Sequence, residues 1–269
     1  MECAARKPGN VHPGASFVDT TFEDFVRSAE VAAPVLATAE KLGIGNTILE
    51  SVRATRERVR TNTNLGMILL LAPLAAIPAG TALPLGIREV LNSLDMTDAF
   101  AVYEAIRLAS PGGLGRVDEQ DVSSPPELSL IEAMRLGAHR DLIAKQYVTN
   151  FEIVLGFGRQ IFMEAVQTVP SWNEAIIWTQ LSLMAEFPDS LIARKCGEAV
   201  ALESQRRAQE LLEGEKPDFP DGLVEFDRWL RADGHRRNPG TTADLIAAIL
   251  FAVIRDGMWQ PPAEIDVGH

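Results

Sequence analysis

Several short stretches of the sequence combine charged or polar side chains with residues that end helices, and each could contribute to a chemical site. In the first, Ala5–Gly14, the cations Arg6 and Lys7 precede a proline and a glycine, and Asn10 and His12 follow on an extended segment. Such a loop can direct positive charge and hydrogen-bond donors towards a phosphate group. Solvated cations in an ordinary turn would give the same pattern.

Three aspartates lie near predicted helix starts. Asp19 and Asp189 each precede a helix, where a carboxylate could bind a metal ion, and Arg194 follows Asp189 at a spacing that suits a phosphate contact. Asp244 falls in the first turn predicted after Pro239, at a helix N-terminus that could bind an anion. Capping of the helix is the commoner use of aspartate at such positions.

The stretch from Thr61 to Gly80 joins a polar head to a long apolar run. Asn62 or Thr63 is well placed to cap a helix, which would leave Asn64 on its first turn, beside unpaired N–H groups that attract anions. A membrane span needs about 20 predominantly apolar residues. Because prolines and a glycine interrupt this run at short intervals, we expect a central helix buried on all sides.

A further polar group occurs between Gly137 and Val154. On one continuous helix His139, Gln146 and Asn150 would share a face. Buried amides need hydrogen-bond partners, and a ligand can be one. We therefore include Arg140 and Gln146 among the candidate nucleotide-binding residues.

Two familiar motifs are not supported by their context. The glycine-rich Ser110–Gly115 follows a helix and does not lie between a strand and a helix, as a phosphate-binding loop would. The histidines show no zinc-ligand spacing.

Composition restricts the partners and the compartment. A net charge of −12 disfavours nucleic acid and anionic membranes, although local cations or a divalent metal could still hold a small polyphosphate. The only cysteines are Cys3 and Cys196, which suits a reducing compartment, and the first ten residues lack the apolar stretch of a secretory signal. We expect a cytoplasmic protein.

Apolar residues recur at intervals of three and four along most of the chain, and strict alternation is hard to find. This pattern predicts roughly ten helices and no strand, with one long or two stacked helices over Leu130–Phe162. We therefore expect an all-α protein that forms a single compact multi-helix domain over residues 1–269. An exposed apolar helix face at Trp172 and Trp178 would suit a homodimer.

Taken in order, these stretches resemble the triphosphoribosyl-dephospho-CoA synthase family. That family has an early KPG motif, an Asn-Thr motif that opens an apolar helix, an Asp near a helix start with an Arg beyond it, and a late Pro-Gly segment. The matching residues are Lys7, Pro8 and Gly9; Asn62, Thr63 and Gly66; Asp189, Leu191 and Arg194; and Pro239, Gly240, Ala243, Asp244 and Leu245. Ordered agreement along nearly the whole chain is far more specific than any single motif.

The resemblance implies an all-helical enzyme that joins C1 of the ribose of ATP to a 2′-hydroxyl of 3′-dephospho-CoA and releases adenine. Such chemistry needs cations or Mg²⁺ on the triphosphate, help for the departing base and a group that accepts the hydroxyl proton. It implies Asp19, Asp189 and Asp244 as catalytic and Mg²⁺-binding carboxylates. The predicted phosphate-binding and nucleotide-binding residues are Lys7, Asn10, His12, Asn62, Thr63, Asn64, Arg140, Gln146 and Arg194.

The sequence departs from the family at one motif, because Thr63, Asn64, Leu65 and Gly66 stand where the family has Thr-His-Lys-Gly. Here the sequence is more similar to a branch found in archaea and methylotrophic bacteria. For that branch a second function stays open, the transfer of a phosphoribosyl group from phosphoribosyl pyrophosphate during tetrahydromethanopterin-type cofactor biosynthesis. Pyrophosphate needs less acid help to leave than adenine does. A third alternative is a nucleotide-binding protein that has kept the fold and lost activity.

Overall fold

The structure is a computed structural model that describes residues 1–109, 124–213 and 219–264. In these ranges it contains fourteen α-helices, a 3₁₀ turn at Glu2–Ala4 and a π-helical turn at Ile153–Gly158. No strand occurs in them, so the predicted all-α class is confirmed, with more helices than the pattern predicted. The glycine-rich Ser110–Gly115 lies outside the described residues.

The helices are numbered in chain order. Their bounds are α1 Phe22–Leu36, α2 Ala39–Leu42, α3 Ile44–Arg58, α4 Leu65–Ala75, α5 Leu83–Asn92, α6 Met96–Ala109, α7 Leu130–Gly137, α8 Leu142–Val148, α9 Arg159–Thr168, α10 Trp172–Glu186, α11 Ser190–Cys196, α12 Glu198–Leu212, α13 Phe219–Arg231 and α14 Gly240–Arg255.

The chain divides into two compact units. The terminal unit consists of Met1–Phe22 and Gly156–His269, and the middle unit of Glu23–Leu155. The single domain expected over residues 1–269 remains a prediction.

In the middle unit, α3 packs along α6 with the two backbones in close contact. The N–H of Gly45 donates to Oδ1 of Asp98 at 2.7 Å, and a Cβ on Gly45 would come within 2.6 Å of the Asp98 Cα. Glycine is therefore needed at this crossing, because any side chain would force the helices apart.

Helix α4 is the apolar helix of the Thr61–Gly80 stretch, and most of its residues are buried. It ends at Ala75, well short of the length that a membrane span requires. No helix in the described part of the chain is long and apolar enough to cross a membrane. The prediction of a buried helix is confirmed.

The stretch from Leu130 to Phe162 is more broken than predicted. Asp141 caps α8 by accepting the N–H groups of Ile143 and Ala144, and Asn150 and Phe151 adopt positive φ angles of 52° and 61°. The side chain of Asp141 stabilises the start of α8 and so separates it from α7. The spacing of apolar residues does not reveal such a break.

In the terminal unit, α14 is buried along most of its length and packs against α9, α10 and α11. A second apolar cluster joins α10, α11, α12 and α13. Its buried members are Ile177, Leu181, Met184, Ile192, Ala201, Ala208, Phe226 and Leu230. The packing around α14 and this apolar cluster hold the starts of α11 and α14 and the N-terminal loop in place. These segments carry most of the predicted site residues.

Candidate active site

Lys7 of the KPG motif is completely buried. Its ammonium group lies 2.8 Å from Oε1 of Glu2 and donates to the Glu2 carbonyl oxygen at 2.5 Å. A buried charge must be paired, and Glu2 provides that pairing. The ammonium group is thus directed into the protein, and phosphate binding by Lys7 remains a prediction that this geometry does not support.

Gly9 and Asn10 anchor the same loop to the later helices. Gly9 has a φ of 75°, and a Cβ there would come within 2.8 Å of both Leu230 and Pro239. The side chain of Asn10 donates to Oδ1 of Asn238 at 2.7 Å and accepts from Gln180 at 3.0 Å. Asn10 is therefore occupied by internal contacts, in contrast to its predicted role as a phosphate ligand.

Gln180 on α10 binds the N-terminal loop at two points. Its side chain is fully buried, and Nε2 donates to the Pro8 carbonyl oxygen at 2.9 Å as well as to Asn10. The other amide atom, Oε1, is buried without a hydrogen-bond partner. Sequence reasoning missed this residue, which sits within an apolar helix and contacts a segment at the other end of the chain.

Asp189 joins the starts of two helices. Oδ1 accepts the N–H groups of Leu191 and Ile192 on α11 at 2.9 and 3.0 Å. Oδ2 accepts both the N–H and the hydroxyl of Thr242 on α14, each at 2.8 Å. One buried carboxylate thus caps two helix N-termini and offsets the positive ends of both helix dipoles.

This geometry gives Asp189 a structural role, and its catalytic or metal-binding role remains a prediction. Four donors surround its two oxygens, and its side chain is 1% exposed. Burial raises its pKa, and the hydrogen bonds from Thr242 and the α11 backbone only partly offset that effect. Asp189 is a structural double cap, and the α14 N-terminus predicted to bind an anion already holds this carboxylate.

Neighbouring segments reinforce the same junction. The hydroxyl of Ser190 donates to Oγ1 of Thr241 at 3.0 Å, and a Cβ on Gly240 would lie 2.5 Å from the Leu191 side chain. Asp244 is half-buried and lies beyond the first turn of α14, because the helix already begins at Gly240, so the predicted first-turn position is wrong. The two motifs that looked like separate phosphate sites therefore form one structural joint.

A small group of charged residues of the terminal unit lies near the end of α11. Burial and then the charge of Arg194 lower the pKa of Lys195, while the carboxylate of Asp19 acts in the opposite sense. Burial also lowers the pKa of His235, which Asp19 again opposes. Asp19 is exposed and close enough for its charge to act on both groups.

The ring of His235 stacks on Phe17 with centroids 4.0 Å apart, and its φ is 65°. Thr20 donates to Oδ1 of Asp19 at 3.1 Å. These contacts hold the loop that follows the KPG motif against the turn between α13 and α14. Asp19 and Arg194 are two predicted site residues that are exposed, and Lys195 and His235, which were not predicted, are half-buried beside them. Together these four residues form the Asp19 cluster.

His12 lies at a second charged position on the same unit. Arg231 donates through Nε to both carboxylate oxygens of Asp227 at 2.8 and 2.9 Å and through a terminal nitrogen to the Asn10 carbonyl at 2.5 Å. Burial and then the charge of Arg231 lower the pKa of His12 to about 4, against the opposing charge of Asp227. The imidazole is therefore neutral at physiological pH.

The predicted polar head of α4 lies in the middle unit. Asn62 is exposed, and its side chain accepts the Leu65 N–H at 3.1 Å. Asn64 immediately precedes α4 and does not lie in its first turn, and its amide donates to Thr55 at 3.1 Å. Thr63 is buried and shares a 2.6 Å hydrogen bond with Ser28. The N-cap of α4 is therefore Asn64 and not Asn62 or Thr63 as predicted, although the Asn62 side chain accepts the first N–H of the helix. Thr63 and Asn64 are engaged internally.

Gln146 and Arg140 also belong to the middle unit. Gln146 is fully buried, donating to the Leu142 carbonyl at 3.2 Å and accepting the Val154 N–H at 3.3 Å. Its amide is satisfied by backbone, so a ligand is not needed there. Arg140 is exposed in the turn between α7 and α8, and the predicted polar helix face does not form.

The described residues contain no group of three or more His, Cys, Asp or Glu side chains that could hold a metal ion. The three aspartates predicted as Mg²⁺ ligands are thus not assembled into one site. Mg²⁺ bound mainly through substrate phosphates needs only one or two carboxylates. Asp19 is exposed and fits that use, whereas Asp189 does not.

Comparisons with known proteins agree with the motif-based resemblance. The family described as ATP:dephospho-CoA triphosphoribosyl transferase (CitG) matches residues 1–261. No curated protein matches the sequence. The fold is similar to the crystal structure of a candidate triphosphoribosyl-dephospho-CoA synthase from Archaeoglobus fulgidus, with 28% identity and a TM-score of 0.72 over 89% of this chain and 100% of that one. The protein is a transferase, and it belongs to the ATP:dephospho-CoA triphosphoribosyl transferase family.

Proposed function

We propose that the protein transfers the triphosphoribosyl group of ATP to a hydroxyl of 3′-dephospho-CoA and releases adenine. Family membership over residues 1–261 supports ATP as the donor. The observation that carries the site assignment is the convergence of Asp19, Lys195 and His235 at the solvent-facing end of α11. A carboxylate beside cations is the combination that deprotonation of a hydroxyl and phosphate binding require.

In this proposal Asp19 accepts the proton of the acceptor hydroxyl as its oxygen bonds to C1 of the ribose. The bond between C1 and N9 breaks, and its electron pair leaves with adenine. The proton taken up by Asp19 is returned to the departing base, so that neutral adenine is released. The reaction is then balanced without an oxidant, a reductant or a further substrate.

Lys195 and Arg194 supply positive charge for the triphosphate. Burial keeps the pKa of Lys195 below that of a free lysine, and a less hydrated ammonium group interacts more strongly with a phosphate oxygen. Bound Mg²⁺ would add charge neutralisation on the phosphate chain. Asp19 is the carboxylate that fits contact with such an ion.

The direct test is adenine release from ATP, measured by chromatography, in the presence of Mg²⁺ and dephospho-CoA. We expect Asp19→Asn to lower kcat by about 10²–10⁴-fold, the contribution typical of a general base. We expect Lys195→Gln to raise KM for ATP and to lower kcat by a smaller factor. Both variants should unfold at the wild-type temperature, because the two residues are not part of the helix joint.

Asp221→Asn is a matched control, since Asp221 is an exposed aspartate of the same unit. It should retain wild-type turnover. Full activity in Asp19→Asn would refute the site assignment. Pyrophosphate release from phosphoribosyl pyrophosphate, with no adenine release from ATP, would instead favour the tetrahydromethanopterin-type alternative. Binding of ATP without turnover, whichever acceptor is supplied, would favour an inactive nucleotide-binding protein.

A further inference from the structure

The imidazole of His12 is held in one tautomer by its own loop. The N–H of Gly14 donates to Nδ1 at 3.1 Å, and His12 and Ala15 exchange two backbone hydrogen bonds at 3.0 and 2.9 Å. A backbone N–H can only donate, so Nδ1 must be unprotonated to accept it. The ring proton of the neutral imidazole is therefore on Nε2.

Nε2 is available to a ligand. Nε2 makes no hydrogen bond within the described part of the chain. It is not a fully buried atom, and the residue itself is half-buried. The ring thus presents one N–H donor towards solvent, while its other nitrogen is occupied by the loop.

The surroundings of His12 favour an anion as the acceptor. The charges that act on the ring are those of Arg231 and Asp227 on α13 and of Lys7 and Arg6 in the N-terminal loop. Asp227 is paired with Arg231 through both carboxylate oxygens, and Lys7 is paired with Glu2. The exposed Arg6 therefore leaves one positive charge in excess near the ring, which disfavours a second proton on the ring and attracts a phosphate oxygen.

We propose that His12 binds a phosphate oxygen of the polyphosphate donor as a neutral hydrogen-bond donor through Nε2–H, and that it takes no part in proton transfer. The identity of the donor rests on the proposed function, whereas the tautomer and the preference for an anion do not. Proton transfer is then the task of the Asp19 cluster. Phosphate binding at His12 should be independent of protonation of the ring.

Two substitutions separate the two nitrogens. An asparagine can accept the Gly14 N–H as Nδ1 does, but it does not reach the position of Nε2. A glutamine carries an amide N–H near the position of Nε2, but it loses the contact with Gly14. We expect His12→Asn to bind inorganic tripolyphosphate at least about ten-fold more weakly, and His12→Gln to stay within about three-fold of wild type.

The probes are ATP and tripolyphosphate, each titrated calorimetrically with wild type and both variants. ¹⁵N–¹H correlation of the imidazole in the free protein reads the tautomer without any ligand, and we expect the proton on Nε2. Titrations in two buffers of different ionisation enthalpy should show the same proton uptake for wild type and His12→Gln, since the contribution of the ligand cancels in the difference.

A proton on Nδ1, equal affinities of the two variants, or no tripolyphosphate binding by wild type would each overturn the inference. The proposed function is judged by another readout. If the two variants differ as expected but ATP yields no adenine, the proposed function fails and the role of His12 stands. If adenine is released and both variants bind alike, the role of His12 fails alone.

Discussion

At the scale of single residues, Asp19 and Asp189 look alike in the sequence and differ in the structure. Each precedes a helix, and local sequence offers the same choice between capping and chemistry at both. Asp189 is buried with four donors around it, whereas Asp19 is exposed among ionisable groups. Stability and activity should therefore be separable between these two positions.

We expect Asp189→Ala to lower the free energy of unfolding by about 3 kcal/mol or more, because three buried backbone N–H groups lose their acceptor. Thr242→Val removes one hydroxyl donor and should cost about 1 kcal/mol. Urea titration followed by circular dichroism measures both. Asp19→Asn is the control and should leave the transition unchanged. An Asp189→Ala protein of wild-type stability that lacked turnover would restore the catalytic interpretation of Asp189.

At the scale of helices, α4 is interrupted internally by Pro73, which has no N–H to donate to the carbonyl of Leu69 four residues earlier. The hydroxyl of Tyr147 on α8 donates to that carbonyl at 2.7 Å. Tyr147 is fully buried, and burial raises its pKa. A side chain from a neighbouring helix thus satisfies the acceptor that the proline leaves open.

This explanation predicts a non-additive pair of substitutions. Tyr147→Phe should destabilise the protein by about 1–3 kcal/mol, because a buried carbonyl loses its donor. In a Pro73→Ala background the new N–H of residue 73 can bond to Leu69, so the same change should cost less. A double-mutant cycle from urea unfolding measures the difference. Equal costs in the two backgrounds would show that the tyrosine does not compensate for the proline.

At the scale of the whole molecule, the net charge of −12 opposes binding of a triphosphate. Arg194 and Lys195 offset this charge only locally, and the carboxylate of Asp19 beside them reduces that effect. A divalent cation on the phosphates is expected to reverse that balance. ATP binding by the protein should therefore depend on a divalent cation.

We expect removal of Mg²⁺ by a chelator to weaken ATP binding by at least about ten-fold, since the free nucleotide then meets an acidic protein with no bridging cation. Calorimetric titration with and without Mg²⁺, at matched ionic strength, measures the change. Sodium chloride that replaces the magnesium salt is the control for screening. Equal affinity in both conditions would show that protein cations alone neutralise the triphosphate.

The sequence by itself determined the all-helical class, the buried character of α4 and the family. Helical spacing of apolar residues is local information, and the prolines and glycine within the Thr61–Gly80 run shorten its uninterrupted apolar stretch below the length of a typical membrane span. The four motifs, taken in their order along the chain, identified the family. The hydrogen bond from Leu65 to Asn62 is local as well, because it joins residues three positions apart, but the N-cap itself lies at Asn64.

Only the tertiary structure decided which motif residues face solvent. Gln180 bonds to Pro8 across 172 positions and Arg231 to Asn10 across 221, so neither partner could be read from its own surroundings in the sequence. The KPG loop and Asp189 proved to be joints between helices, where buried polar groups must satisfy one another. That requirement depends on burial, which distant segments create together, and it left Asp19 exposed and His12 half-buried.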